Sequence, residues 1–137
     1  MNMNPKAYGY LSLARRARNL EVGEEPVGAL CRANRARLVL LASDAGGHTV
    51  RRAKSFVYGT NQPILQLPCT KAELGSAIGC SVCAIAALTD VRLAHAFVLS
   101  LDDTDAALLA ELAVRAERAA QRQKEEKAHR SNRGKKK

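Results

Sequence analysis

Apolar positions recur along this chain with two periods. Tyr10, Leu13, Ala14 and Ala17 fall at i, i+3, i+4 and i+7, which predicts an amphipathic helix over about residues 7–18. Its polar side carries Arg15, Arg16 and Arg18. Val22-Gly23 breaks the pattern. Glu24, Glu25 and Pro26 then open a second helix, because acids suit the positive end of the helix dipole and proline needs no N–H in a first turn. Val27, Leu30 and Cys31 carry that helix to about residue 34. Leu38 to Ala42 is an unbroken apolar run, the pattern of a strand covered on both faces. After the loop Ser43–Gly47, Val50, Ala53, Val57 and Tyr58 predict a helix over 47–58, with Arg51, Arg52 and Lys54 on its wet side. Gly59–Pro63 is a turn, and Ile64–Leu67 a short strand. Thr70-Lys71-Ala72-Glu73 has capping-box form and opens a helix that stops at Gly79. Val82–Thr89 is the next strand, and Thr89-Asp90 can cap a helix over 91–100. Three strands are distinct in the pattern; a fourth, near Glu21-Val22, has the faintest signal. Helices alternating with short buried strands make an α/β fold with helices on both faces of the sheet.

The pattern changes after Asp102-Asp103. Residues 104–123 are rich in Ala, Leu, Glu and Arg, with Leu108, Leu112 and Ala116 at helical spacing. Ser131–Lys137 has nothing to bury and is expected to be disordered. The 137 residues therefore divide into a domain over 1–103 and a charged helical extension with a Lys/Arg-rich tail over 104–137. With 47% hydrophobic residues a core is available, but 4% aromatics and no Trp mean that aliphatic side chains and Ala must build it.

The chain holds 22 Lys and Arg against 13 Asp and Glu, a net charge of +9. Such an excess points to an anionic partner. Twelve basic and eight acidic residues lie in 1–103, whereas 121–137 alone carries eight basic residues against two Glu. The folded part is thus mildly basic and the end strongly so. No apolar run approaches the roughly 18 residues of a membrane span. The N-terminus lacks the apolar stretch of a secretory signal, so the expected compartment is the cytoplasm.

Cys31, Cys69, Cys80 and Cys83 are even in number, but a reducing compartment argues against disulfides. Cys80-Ser-Val-Cys83 is a C-x-x-C motif without the second paired knuckle of a zinc site and without the helix N-terminus that lowers a redox thiol's pKa. The cysteines read best as small buried or half-buried apolar groups. His48, His95 and His129 lie in separate segments with no metal-ligand spacing. No nucleophile elbow, P-loop or dinucleotide fingerprint is present, and Gly46-Gly47 reads as a tight strand-to-helix turn. No catalysis, cofactor or metal is expected.

Two places suit nucleic acid. In the first, Arg15, Arg16 and Arg18 lead to Gly23, Glu24 and Glu25. Arginines hold phosphates, a glycine before a helix start lets a backbone approach, and carboxylates accept from exposed base edges. The plainer reading is a solvated basic face beside two helix-start acids. The second is the small apolar loop Cys80–Cys83, which can pack on a flipped-out base; the plainer reading is an ordinary connection.

These same two places carry a family resemblance. The blocks are Leu11–Arg18, Val22–Glu25, Ala36–Ala45, Pro63 with its strand, Glu73–Gly79 and Ala87–Asp90. In that order and spacing the chain, over about residues 8–101, resembles the ribosomal protein L-seven-Ae and L-thirty-e family, in particular its small bacterial members. The resemblance implies a three-layer αβα sandwich around a mixed, four-stranded sheet. It also implies RNA binding, commonly at kink-turns, through Gly23–Ala29 and through Val82, Cys83 and Ala84. The family's kink-turn motif runs glycine, small residue, Asn, Glu, two variable residues, Lys. Aligned without gaps, this chain keeps Gly23 but has Glu24, Glu25, Pro26 and Ala29 at the small, Asn, Glu and Lys positions. Each lost polar contact costs about 1–3 kcal/mol. Either Glu24, Glu25 and the arginines take over, or the RNA differs.

The reading is a structured-RNA binder linked to ribosomal RNA or translation, with Arg15, Arg16, Arg18 and Arg32 on phosphates and the tail adding general attraction. The rival, motivated by Pro26 and Ala29, is a module on the same fold that docks the ribosome or another protein. A third class, a thiol redox protein using Cys80 and Cys83, requires a thiol pKa well below 8.

Overall fold

The computed structural model describes residues 3–135. Asn4 starts the first helix, α1 (Pro5–Arg16), by accepting from the Ala7 N–H at 2.9 Å, with Pro5 in the first turn. The Asn4 amide also donates to the Ser100 carbonyl at 2.7 Å, tying this end to the far part of the chain. A short strand, β1 (Leu20–Val22), leads to α2 (Glu24–Arg32). Then follow β2 (Leu38–Leu41), α3 (Gly47–Val57) and β3 (Ile64–Gln66). The helix α4 (Lys71–Ile78) has the expected reciprocal cap between Thr70 and Glu73, and it stops at Gly79 in a left-handed conformation. β4 (Ile85–Leu88) and α5 (Val91–Leu99, capped by Asp90) complete the pattern up to residue 100.

The sheet order is β1-β4-β2-β3, with β2 and β3 parallel and β4 antiparallel to both neighbours. The fold is therefore the expected α/β arrangement around a mixed four-stranded sheet. All four residues of β2 and of β4 are buried, as continuous apolar strands require when both faces are covered. One face packs Leu38, Leu40, Ala86 and Leu88 against Leu11, Leu74, Phe97 and Val98 of α1, α4 and α5. The other packs Val39, Leu41, Ile85 and Ala87 against Val27, Cys31 and Ala53 of α2 and α3.

Two strand boundaries differ from the pattern. The faint segment near Glu21 is a true edge strand, with Leu20, Glu21 and Val22 opposite Leu88, Ala87 and Ala86. β4 begins at Ile85 rather than Val82, because its register with β2 starts at the Leu41–Ile85 pair. Before that point the Cys83 N–H donates to the Lys71 carbonyl at 2.8 Å instead of to a strand.

The last helix, α6 (Ala106–Lys135), continues through Ser131–Lys135, where disorder was expected; Lys136 and Lys137 lie outside the described residues. Its composition is rich in strong helix formers, and Glu111–Arg115, Gln121–Glu125 and Glu126–Arg130 pair at i, i+4. A helix needs a buried face only to dock, not to form. The first half of α6 does dock: Leu112 is fully buried, Leu108 and Ala116 nearly so, on the α1–α4–α5 side of the sheet and beyond. Residues 121–131 are exposed throughout.

Candidate nucleic-acid interface

β1 and β4 bring the two suspected places together. The Gly23 N–H donates to the Ile85 carbonyl at 3.0 Å, so the start of α2 lies beside the chain that leaves the loop 82–84. Gly23 has φ +100° and ψ 160°, a backbone region that only glycine adopts without strain. That conformation turns the chain from an edge strand into a helix in a single residue. No side chain caps α2. Its first N–H groups therefore point outward at the positive end of the helix dipole, the arrangement that receives anions.

Glu24 and Glu25 stand on this first turn. One Glu24 oxygen is buried without a hydrogen-bond partner, and the other lies 3.9 Å from the Arg52 guanidinium of α3. The exposed Glu25 carboxylate lies 3.9 Å from a second nitrogen of the same guanidinium. Arg52 in turn sits over the Phe56 ring, 5.3 Å from its centroid. A ring and two carboxylates thus hold one cation beside the helix start. These pairs are partly exposed, each contributing about 0–1 kcal/mol.

The facing loop is seated on α4. Gly75 has no room for a side chain: a Cβ there would lie 2.8 Å from the Val82 Cα and 2.9 Å from its N and C atoms. The Cys80 N–H donates to the Gly75 carbonyl at 2.7 Å, closing the turn after the helix. So held, Val82 stays 58% exposed, an apolar knob at the same end of the sheet as the α2 start. Ala84 is half-buried. Cys83 points inward, its thiol donating to the Ile85 carbonyl at 3.4 Å. Burial pushes that thiol up to about 11, against a weaker downward pull from the Arg15 guanidinium. Cys31 and Cys69 are likewise buried with thiols raised by burial, and all four cysteines are free. Cys83 is thus a buried thiol that keeps its proton at neutral pH.

The remaining arginines do not gather at one point. Arg15 is exposed in the last turn of α1. Arg16 is exposed at the same helix end, and Arg18 lies in the following turn with φ +62°. That turn leads to Leu20, opposite Leu88, so Arg18 is at the other end of β1 from Gly23. Arg32 ends α2, about 13 Å of helix away from Gly23.

Arg52, Phe56 and Gly75 belong to this neighbourhood although the sequence pattern assigned them no role there. Arg52 was visible only as one of three cations on a wet helix face. Gly75 did carry a signal, since a glycine inside a helix costs about 1 kcal/mol relative to Ala and asks for a packing reason. Among the described residues no group of three or more His, Cys, Asp or Glu side chains could hold a metal ion. No described helix is long and apolar enough to cross a membrane.

The small α/β domain thus presents a glycine-started helix and an apolar loop at one end of its sheet. The chain is 34% identical over 92 residues to the RNA-binding protein YlxQ of Bacillus subtilis (strain 168), a match spanning 67% of this chain and 91% of that protein. The chain belongs to the family of that protein. Among solved structures it is similar to a protein with unknown function from Bacillus halodurans C, with a TM-score of 0.59 and 27% identity, over 83% of this chain and 99% of the other. No family model matches the chain.

Proposed function

We propose that this protein binds structured RNA, without catalysis and without a cofactor, through the start of α2 and the Val82 loop. The observation that carries the reading is the Gly23–Ile85 hydrogen bond, which sets an uncapped helix start beside an exposed apolar loop in a relative of an RNA-binding protein. In this reading a phosphate docks on the free N–H groups of Glu24 and Glu25, with Arg15 and Arg52 supplying charge. An unstacked base packs on Val82, and Glu25 accepts from its edge. Arg16, Arg18 and Arg32 extend the phosphate contacts, and the end of α6 adds salt-dependent attraction. The resemblance to the L-seven-Ae and L-thirty-e family supports a bent RNA of the kink-turn type, in ribosomal RNA or another part of translation, and a cytoplasmic setting. Residues 1–103 are the recognition domain in this proposal and 104–137 the charged extension.

A second reading rests on Pro26 and Ala29. Both are exposed on α2 and offer no side-chain hydrogen bond where the family's motif has Glu and Lys. On that reading the same face docks a protein. Titration of a kink-turn RNA and of an unbent duplex of equal length, at physiological salt, separates the two. The RNA reading expects the bent RNA to bind at least tenfold tighter and Val82→Asp to remove the difference. Equal binding of both RNAs refutes specific recognition and leaves the protein-docking reading.

A further inference from the structure

At the opposite end of the sheet, where β2 and β3 begin and β4 ends, the structure forms a second basic feature. It is a groove of about 400 Å³ lined by Asn34, Arg37, Asn61, Arg115, Arg118 and Arg122. The arginines come from the turn before β2 and from α6. Arg115, Arg118 and Arg122 fall at i, i+3 and i+7, one face of a helix, spanning about 10 Å along its axis. The floor is fixed by Gln62, which is nearly fully buried. Its side-chain oxygen accepts from the Ala36 N–H at 2.9 Å, and its amide donates to the Cys31 carbonyl at 3.1 Å. Arg115 donates to the Asn61 carbonyl at 3.0 Å and pairs with Glu111. Arg37 donates to the Asn34 carbonyl at 3.4 Å. Arg118 and Arg122 have no carboxylate partner among the described residues, although as like charges at i, i+4 they repel. Four arginines with one carboxylate between them, on a rigid floor, make a concave anionic-ligand site. Its walls are polar and open, which suits a backbone of phosphates rather than an apolar side chain.

We propose that this groove is a second RNA-backbone site, so that the protein holds two segments of RNA at opposite ends of its sheet. The α2 start and Val82 loop read local shape, while Arg37, Arg115, Arg118 and Arg122 grip phosphates of a flanking helix. This rests on the RNA-binding reading for the identity of the ligand, and on the groove's own geometry for its existence.

The test is RNA titration against salt with full-length protein and three variants. Arg118→Gln/Arg122→Gln removes two groove cations at exposed positions and keeps helix propensity. Lys6→Gln/Lys54→Gln removes equal charge elsewhere on the exposed surface. Val82→Asp disables the loop site. On a hairpin with a long duplex arm, the groove variant is expected to make the slope of log affinity against log salt shallower by about 1 to 2, and the lysine variant by clearly less. Equal shallowing by both overturns the groove. Weakening by Val82→Asp with none by the groove variant overturns the groove and keeps the RNA reading; the reverse keeps the groove and overturns the loop site. No binding by the unaltered protein overturns both. Modification of arginines by phenylglyoxal, mapped by mass spectrometry, gives a second readout. RNA should shield Arg118 and Arg122 at least several-fold, and polyglutamate should not. Equal shielding by polyglutamate assigns the groove to an acidic protein segment and overturns the RNA assignment.

Discussion

Gly75→Ala isolates the loop site from the rest of the fold. Gly75 lies inside α4, buried, with the Val82 backbone where a methyl group would go. On helix propensity alone the substitution stabilises the protein by about 1 kcal/mol. The new Cβ, however, would stand 2.8 Å from the Val82 Cα, and its neighbours there are backbone atoms that cannot rotate away. Ordinary contact requires the loop to retreat by roughly half an ångström or more, and overpacking of this kind costs about 1–3 kcal/mol. The net expectation is a protein between unchanged and about 2 kcal/mol less stable, measured by urea denaturation. RNA affinity should fall separately. In the proposed binding mode Val82 carries the apolar contact to a base, a contribution of about 1–2 kcal/mol, so displacing it is expected to weaken binding by roughly tenfold. The two effects are distinguished by titrating RNA at a temperature where the variant is fully folded. If Gly75→Ala gains about 1 kcal/mol and binds RNA like the unaltered protein, the loop is not seated on Gly75 as described, and its placement does not govern recognition.

Three further predictions follow from other parts of the molecule. Gly23→Ala forces a side chain into the φ +100° conformation, and should cost about 1–3 kcal/mol in denaturation even though its Cβ would make only an ordinary 3.7 Å contact with the Pro26 Cδ; no loss would mean the turn relaxes freely. Leu112→Ala should cost about 2–5 kcal/mol, because this side chain is fully buried; a loss near zero would mean that α6 does not dock. The Cys83 thiol, raised to about 11 from 9.0, keeps its proton longer in the folded chain than in the unfolded one. Its contribution is therefore complete below pH 9 and is lost as pH rises toward 11, an effect of about 2–3 kcal/mol. Cys83→Ala should flatten the fall in stability across that window, and an unchanged pH profile would refute the burial argument.

Much of the architecture is legible in local pattern. The capping box at Thr70–Glu73, the Glu-Glu-Pro start of α2 and the stop at Gly79 each act through atoms within one turn of helix, so a short stretch of sequence contains the whole cause. The unbroken run Leu38–Ala42 announces burial on both faces for the same reason. β1 was faint because three residues of edge strand have little periodicity of their own; its pairing with β4 supplies what the segment lacks. In α6 the local causes are again legible: helix-forming side chains and the i, i+4 pairs Glu111–Arg115, Gln121–Glu125 and Glu126–Arg130 support the exposed helix as far as Arg130.

By itself, then, the sequence determined the alternation of helices and strands, the helix ends, the two-sided burial of the central strands and the concentration of positive charge toward the C-terminus. These depend on period, composition and contacts between near neighbours. Only the tertiary structure decided that Gly23 and Val82 share one end of the sheet, that Arg52 is held between Glu24, Glu25 and Phe56, that Gly75 is the seat of the loop, and that Arg37 meets three arginines of α6 across a groove. Each of those depends on strand register and helix packing, which bring distant residues within a few ångströms and leave no trace in the spacing of either partner.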